Sequence, residues 1–121
     1  MASLKTVMTE DPKGLELVQF AKKTADKLKK MDLKGSQIRN IFSEVRQIET
    51  MWESDPEKAV RRLNLLKPKL YYQQQRKREV GPLRKVLDEA INHVVEAEGE
   101  EQERRFGRFI ELFEAILAYH R

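Results

Sequence analysis

The side chains best able to do chemistry in this chain are cations, and their spacing is regular. Arg62, Lys69 and Arg76 follow one another at intervals of seven residues, with Tyr72 between the last two. Seven residues is close to two helical turns, so on a continuous helix the three share one side. A second stripe, Arg39, Ser43, Arg46 and Thr50, follows i, i+4, i+7, i+11 and flanks an apolar face. Cations on an anchored helix reach phosphate oxygens, and an interleaved tyrosine can stack on an unpaired base; together they suit a single nucleic-acid strand. Lys67, Lys77, Arg78, Arg84 and Lys85 add to the surrounding field. For any one arginine the plainer reading is a surface ion pair, and for Tyr71 and Tyr72 it is core packing. The signal lies in the repetition.

Catalysis has much less to work with. There is no cysteine, so disulfides, thiolate zinc sites and cysteine nucleophiles are excluded. The two histidines, His93 and His120, have no partners at catalytic spacing and read as packed or surface residues. No HExxH, P-loop, GxSxG or GxGxxG is present. The carboxylates from Glu96 to Glu103 lack the spacing of a metal loop and read as a solvated acidic connection. The expectation is a protein that binds rather than catalyses, with no cofactor and no metal.

The net charge of +4 hides a strong asymmetry. Residues 55–85 carry ten Lys or Arg against three Asp or Glu, whereas residues 86–103 carry seven acids and no base. A basic block attracts phosphate backbones. The plainer readings are that both blocks are solvated helix faces, or that they neutralise each other within one molecule. No apolar run approaches the length of a membrane span, and the N-terminus lacks the apolar centre of a signal peptide, so the expected address is the cytoplasm.

The elements that must position these side chains are helices. Few glycines and prolines, and many Leu, Lys, Arg, Glu and Gln, favour helix throughout. Residues 1–11 read as a flexible N-terminal tail, and residues 12–121 as one helical-bundle domain. Asp11-Pro12 reads as a helix start, followed by Leu15, Val18, Ala21, Ala25 and Leu28 at helical spacing, with an end near Met31. Ser36 is a candidate cap for a second helix with Ile38, Ile41, Phe42, Val45, Ile48 and Trp52 on one face, into which Glu49 intrudes. Asp55-Pro56 starts a third, whose buried side is Ala59, Leu63, Leu66 and Leu70; Pro68 predicts a kink or break near Lys67. A fourth follows Gly81-Pro82 with Leu83, Val86, Leu87, Ala90, Ile91, Val94 and Val95, and a fifth carries Phe106, Phe109, Ile110, Phe113, Ile116 and Leu117. No segment alternates as a strand would. The fold class is therefore all-α, a compact bundle of about five helices.

Two further patterns bear on function. The turn Asp32–Gly35, between two helical segments, is compatible with a helix-turn-helix in which Gln37, Arg39 and Asn40 read base edges of a duplex. A purely structural helical adaptor is a further alternative. Three segments weigh differently: Ser36-Gln37-Ile38-Arg39-Asn40-Ile41-Phe42; Leu65-Leu66-Lys67-Pro68-Lys69-Leu70-Tyr71-Tyr72 with Arg76; and Phe109–Phe113 followed by Glu114-Ala115-Ile116-Leu117-Ala118-Tyr119-His120-Arg121. Their order and spacing resemble the small subunit of the type III-A CRISPR effector, the Csm complex, from about residue 15 onward. One departure is Tyr71-Tyr72, where a small residue is expected beside the tyrosine.

The resemblance implies a non-catalytic helical bundle of an antiviral ribonucleoprotein. Copies would stack beside the backbone subunits that hold the guide RNA, with the large subunit as a further partner, and would line the channel for guide-paired target RNA. In such a head-to-tail stack Glu98, Glu100, Glu101 and Glu103 would face a basic surface of the next copy or of a backbone subunit. Guide–target pairing supplies the sequence specificity, so the protein needs backbone contacts rather than base contacts. The nucleic-acid-binding residues carried over are Arg39, Arg46, Lys67, Lys69 and Arg76; Arg61 and Arg62 are added from the charge pattern.

Overall fold

The computed structural model describes residues 3–121, and every regular element among them is helical. Six α-helices, rather than about five, run in the order α1 (Leu4–Thr9), α2 (Leu15–Lys30), α3 (Gly35–Ser54), α4 (Pro56–Arg76), α5 (Gly81–Val95) and α6 (Gly99–His120), with a 3₁₀ turn at Arg78–Val80 before α5.

The extra helix lies within the segment expected to be a flexible tail. Residues 1 and 2 of that segment lie outside the described residues, whereas all of α1 is described. Ser3 Oγ accepts the Thr6 N–H at 3.2 Å as an N-cap, and Leu4, Val7 and Met8 are buried. Six residues are too few to show a period and too few to be helical alone; α1 is held by packing against α2, α5 and α6.

Asp11 caps α2, though not by starting it. The helix begins at Leu15, after Gly14 in the left-handed region (φ 76°), so Pro12 sits in the preceding loop rather than at the first helical position. Asp11 itself takes φ 49° and is buried, and its two carboxylate oxygens accept the N–H groups of Glu16 and Leu17, each at 2.9 Å. The buried face of α2 is Leu17, Ala21, Thr24, Ala25 and Leu28; Leu15, at 65% exposure, and Val18 point outward. The expected Ala21, Ala25 and Leu28 are on this face, but Leu17 takes the place of Leu15 and Val18, and Thr24 joins it.

At the start of α3 the cap is Lys34 rather than Ser36, and the Gln37 side chain reaches back to accept the Lys34 N–H at 2.8 Å. Asp55 caps α4 as expected, accepting the Lys58 N–H at 3.1 Å. Helix α4 does not break at Pro68. Pro68 and Asn64, whose carbonyl loses its donor, are both exposed, so the unpaired group lies open to solvent rather than buried, and the helix continues to Arg76.

The apolar faces expected on α3 to α6 form one core. Trp52 stacks on Phe106 (centroids 4.2 Å apart), and Phe113 meets Phe42 edge-on at 5.0 Å. The α3–α4 hairpin is antiparallel: Gln47 meets Arg62, and Glu44 meets Lys69 further along. Helix α6 begins at Gly99, so Glu100 and Glu101 occupy its first turn, where acids suit the helix dipole, and are not part of a loop.

Candidate nucleic-acid interface

Where α4 crosses α3, its cations meet the polar edge of the neighbouring helix. Arg62 Nη2 donates to Gln47 Oε1 at 2.7 Å, and Lys69 Nζ lies 2.8 Å from Glu44 Oε1. Further toward the end of α4 the two helices border a groove of about 790 Å³. Lys69, Arg76 and Lys77 line one wall, and Gln37, Asn40 and Glu44 the other. Tyr72 also lines it, 62% exposed, with the Arg76 guanidinium 6.0 Å from its ring centroid. Three cations face one carboxylate, and that carboxylate is already taken by Lys69. Arg76 and Lys77 have no ion-pair partner among the described residues. An extended anion with a stackable base fits such a wall.

The other cations singled out in the sequence do not join this groove. Arg46 is committed elsewhere: it bridges Glu49 (2.7 Å) on its own helix and Glu114 (2.6 Å) on α6, over the face of Phe42. Those two carboxylates raise its pKa above the ordinary arginine value, Glu49 contributing most. This also accounts for Glu49 on the apolar face of α3. Lys67 turns to the opposite side of α4 and donates to Asn92 on α5. Arg39 is exposed and lies over Gly35, where an added Cβ would stand 2.9 Å from its Nη1. Arg61 is exposed and has no ion-pair partner among the described residues. Of the seven residues expected to bind, then, Lys69 and Arg76 line the groove, and Arg62 lies further along the same seam.

Both tyrosines of the Tyr71-Tyr72 pair are exposed, 54% and 62%, so neither fills the core. Tyr71 carries the Arg84 guanidinium 5.3 Å from its ring centroid. The histidines are tied into the scaffold: His93 Nδ1 lies 2.9 Å from Glu96 Oε1, and His120 Nε2 lies 2.8 Å from the Leu33 carbonyl. Glu101 is engaged within the molecule by Arg104 and Arg105 while its side chain stays partly exposed; Glu98, Glu100 and Glu103 are exposed. No described helix is long and apolar enough to cross a membrane.

Lys77 was the groove cation given least weight in the sequence, because it lies just past the end of α4 and outside the seven-residue repeat. Gln73 carries no distinguishing pattern in the sequence, and Asn40, expected only as a base reader of a helix-turn-helix, lines this groove.

The family model described as Csm2 Type III-A matches residues 11–121. The chain belongs to that family, the small subunit of the type III-A CRISPR Csm complex. Neither the curated proteins nor the solved structures contain a match.

Proposed function

We propose that this member of the type III-A small-subunit family is a non-catalytic component of the effector that stacks along the backbone filament and holds the backbone of guide-paired target RNA in the α3–α4 groove. The observation that carries this reading is the wall formed by Arg76, Lys77 and Tyr72, where two cations without ion-pair partners among the described residues flank an exposed ring. Lys69 adds a third cation, partly offset by Glu44. Arg62 and Lys69 also fasten α3 to α4, so they fix the groove as well as charge it. Arg39 and Arg61 extend the positive field beyond it, and Arg46 and Lys67 support the scaffold rather than touch RNA.

The duplex-reading alternative fits less well. Gln37, the first of its proposed base readers, already accepts the Lys34 N–H and donates to Glu79 at 3.2 Å. That contact and the backbone hold the Glu79 carboxyl below its ordinary pKa, the backbone contributing most.

The test is a reconstituted complex carrying Arg76→Ala and Lys77→Ala together. Each phosphate contact contributes about 0.7 for a single strand and about 0.9 for a duplex to the slope of log affinity against log salt. The double variant should assemble normally, bind guide-paired target RNA more weakly, and lower that slope by about 1.4–1.8 whatever the sequence. An unchanged slope in an intact complex would remove the groove from the RNA path.

A further inference from the structure

A second groove lies on the other side of the α4 terminus, and its charge is less compensated than that of the first. It encloses about 660 Å³ between α2, the 3₁₀ turn and the start of α5. The connector divides the two: Lys77 and Val80 line the first groove, Arg78 and Gly81 the second. Lys23, Lys27, Arg78 and Lys85 face into it and no carboxylate does. None of the four makes an ion pair or a side-chain hydrogen bond among the described residues. The floor is apolar, from Phe20, Met31 and Val86.

Helix stability does not explain this set. Lys27 lies in the last turn of α2, where a cation suits the dipole. Lys85 lies at the opposite kind of end, one turn into α5, where a cation is disfavoured. Lys23 and Lys27 stand four residues apart on one helix face, an arrangement of like charges that weakens a helix. Gathering four cations around one concavity without a counter-charge raises the potential there and concentrates anions in it. The volume falls within the range of small-ligand sites, and a floor of Phe20, Met31 and Val86 accommodates a non-polar body beside the charged group.

We infer that the α2–α5 groove is a second phosphate-binding site, distinct from the α3–α4 groove, that takes at least two linked phosphate groups. Lys23, Lys27, Arg78 and Lys85 are the phosphate ligands, and Phe20 and Met31 support the ring or sugar that carries the phosphates. The source is either a nucleic-acid strand or a free polyphosphate such as a nucleoside triphosphate; the recognised chemistry is the same.

The experiment uses the full chain and two double variants, Lys27→Ala with Lys85→Ala for this groove and Arg76→Ala with Lys77→Ala for the other. All four positions are exposed, so both proteins should fold, as circular dichroism would verify. Inorganic tripolyphosphate is titrated into each by calorimetry. The expected result is binding by the wild type and by the Arg76/Lys77 variant, and at least tenfold weaker binding by the Lys27/Lys85 variant. Equal loss in both variants, no loss in the Lys27/Lys85 variant, or pentaglutamate binding as tightly as tripolyphosphate overturns the inference. A labelled twelve-residue oligouridylate then separates the sources. If a strand occupies the groove, the Lys27/Lys85 variant also binds it more weakly, with a salt slope lower by about 1.4. If oligouridylate is unaffected while tripolyphosphate binding is lost, the ligand is a free polyphosphate. The reading of the α3–α4 groove stands or falls separately, on the Arg76/Lys77 variant and target RNA.

Discussion

Two regions of this molecule are dense in arginine and use it in opposite ways. At the start of α6, Arg104, Arg105 and Arg108 are all spoken for. Arg104 and Arg105 grip Glu101; Arg105 also donates to the His93 carbonyl at 2.8 Å, Arg104 to the Thr9 carbonyl at 2.8 Å, and Arg108 to the Val7 carbonyl at 2.8 Å. These bonds pin α1 and the end of α5 onto α6. At the end of α4, the consecutive cations Arg76, Lys77 and Arg78 have no ion-pair partner among the described residues and open onto two grooves. What separates the regions is the local supply of acceptors. Glu101 lies three and four residues before Arg104 and Arg105, whereas the only acid within four residues of Arg76–Arg78 is Glu79, which is held by Gln37. Cations matched by neighbouring acceptors build the fold, and Arg76, Lys77 and Arg78 take no part in that work.

Changes at the matched end should cost stability and leave binding intact. The largest effect is expected at Met8, fully buried on the helix that this end pins down. Met8→Ala should destabilise the protein by about 2–5 kcal/mol, read from the urea midpoint, because a buried side chain is lost and a cavity remains. A loss below about 0.5 kcal/mol would mean that α1 is not part of the core. Arg105→Ala comes next. Its side chain is 17% exposed and bonds Glu101 at 2.7 Å, the His93 carbonyl, and Glu96 at 3.2 Å. Removing it should cost about 1–2 kcal/mol, since charged hydrogen bonds in partial burial are lost. The salt slope for oligonucleotide binding should not move; a fall comparable to that of the Arg76/Lys77 variant would erase the distinction between the two regions.

The sequence made one half of this contrast legible and obscured the other. The apolar faces of α3 to α6 could be read directly, because each keeps a helical period long enough to stand out, as Ala59, Leu63, Leu66 and Leu70 do on α4. The α1 helix could not, because its apolar residues span barely more than one turn and gain their meaning only from distant helices. Spacing identified Lys69 and Arg76 as sharing a side of α4, but it also promoted Arg46, whose partner Glu114 lies on another helix, 68 residues away. The α2–α5 groove was missed for the same reason: Lys23 and Lys27 meet Arg78 and Lys85 only after the chain has folded, and no local pattern joins them.

The smallest effect is a pH dependence, and its sign follows from which carboxylates the matched end holds. Arg104, with Arg105 second, lowers the Glu101 pKa from 4.5 to about 2 through hydrogen bonds to its carboxylate. Between those values the unfolded chain binds a proton that the folded chain does not, so stability rises with pH. This contribution is fully present above about pH 4.5 and disappears as pH falls through about 2. Glu96 is lowered too, chiefly by its hydrogen bond with His93, and acts in the same direction. Asp88 acts in the other. Burial raises its pKa above 3.8, against the opposing pull of Arg84 and Lys67, and its Oδ1 has no hydrogen-bond partner. There the folded chain is the one that keeps the proton, so its contribution falls as pH rises through the window just above 3.8. In urea titrations across the acid range, Glu101→Gln should therefore flatten the rise of stability with pH below about 4.5, whereas Asp88→Asn should steepen the rise just above 3.8. A Glu101→Gln curve superimposable on the wild type from pH 2 to 4.5 would mean that the grip of Arg104 and Arg105 contributes nothing to folding. The Arg76→Ala, Lys77→Ala variant should stay close to the wild-type acid limb, because Arg76 makes no ion pair among the described residues and Lys77 lowers the Glu79 pKa less than the backbone and Gln37 do.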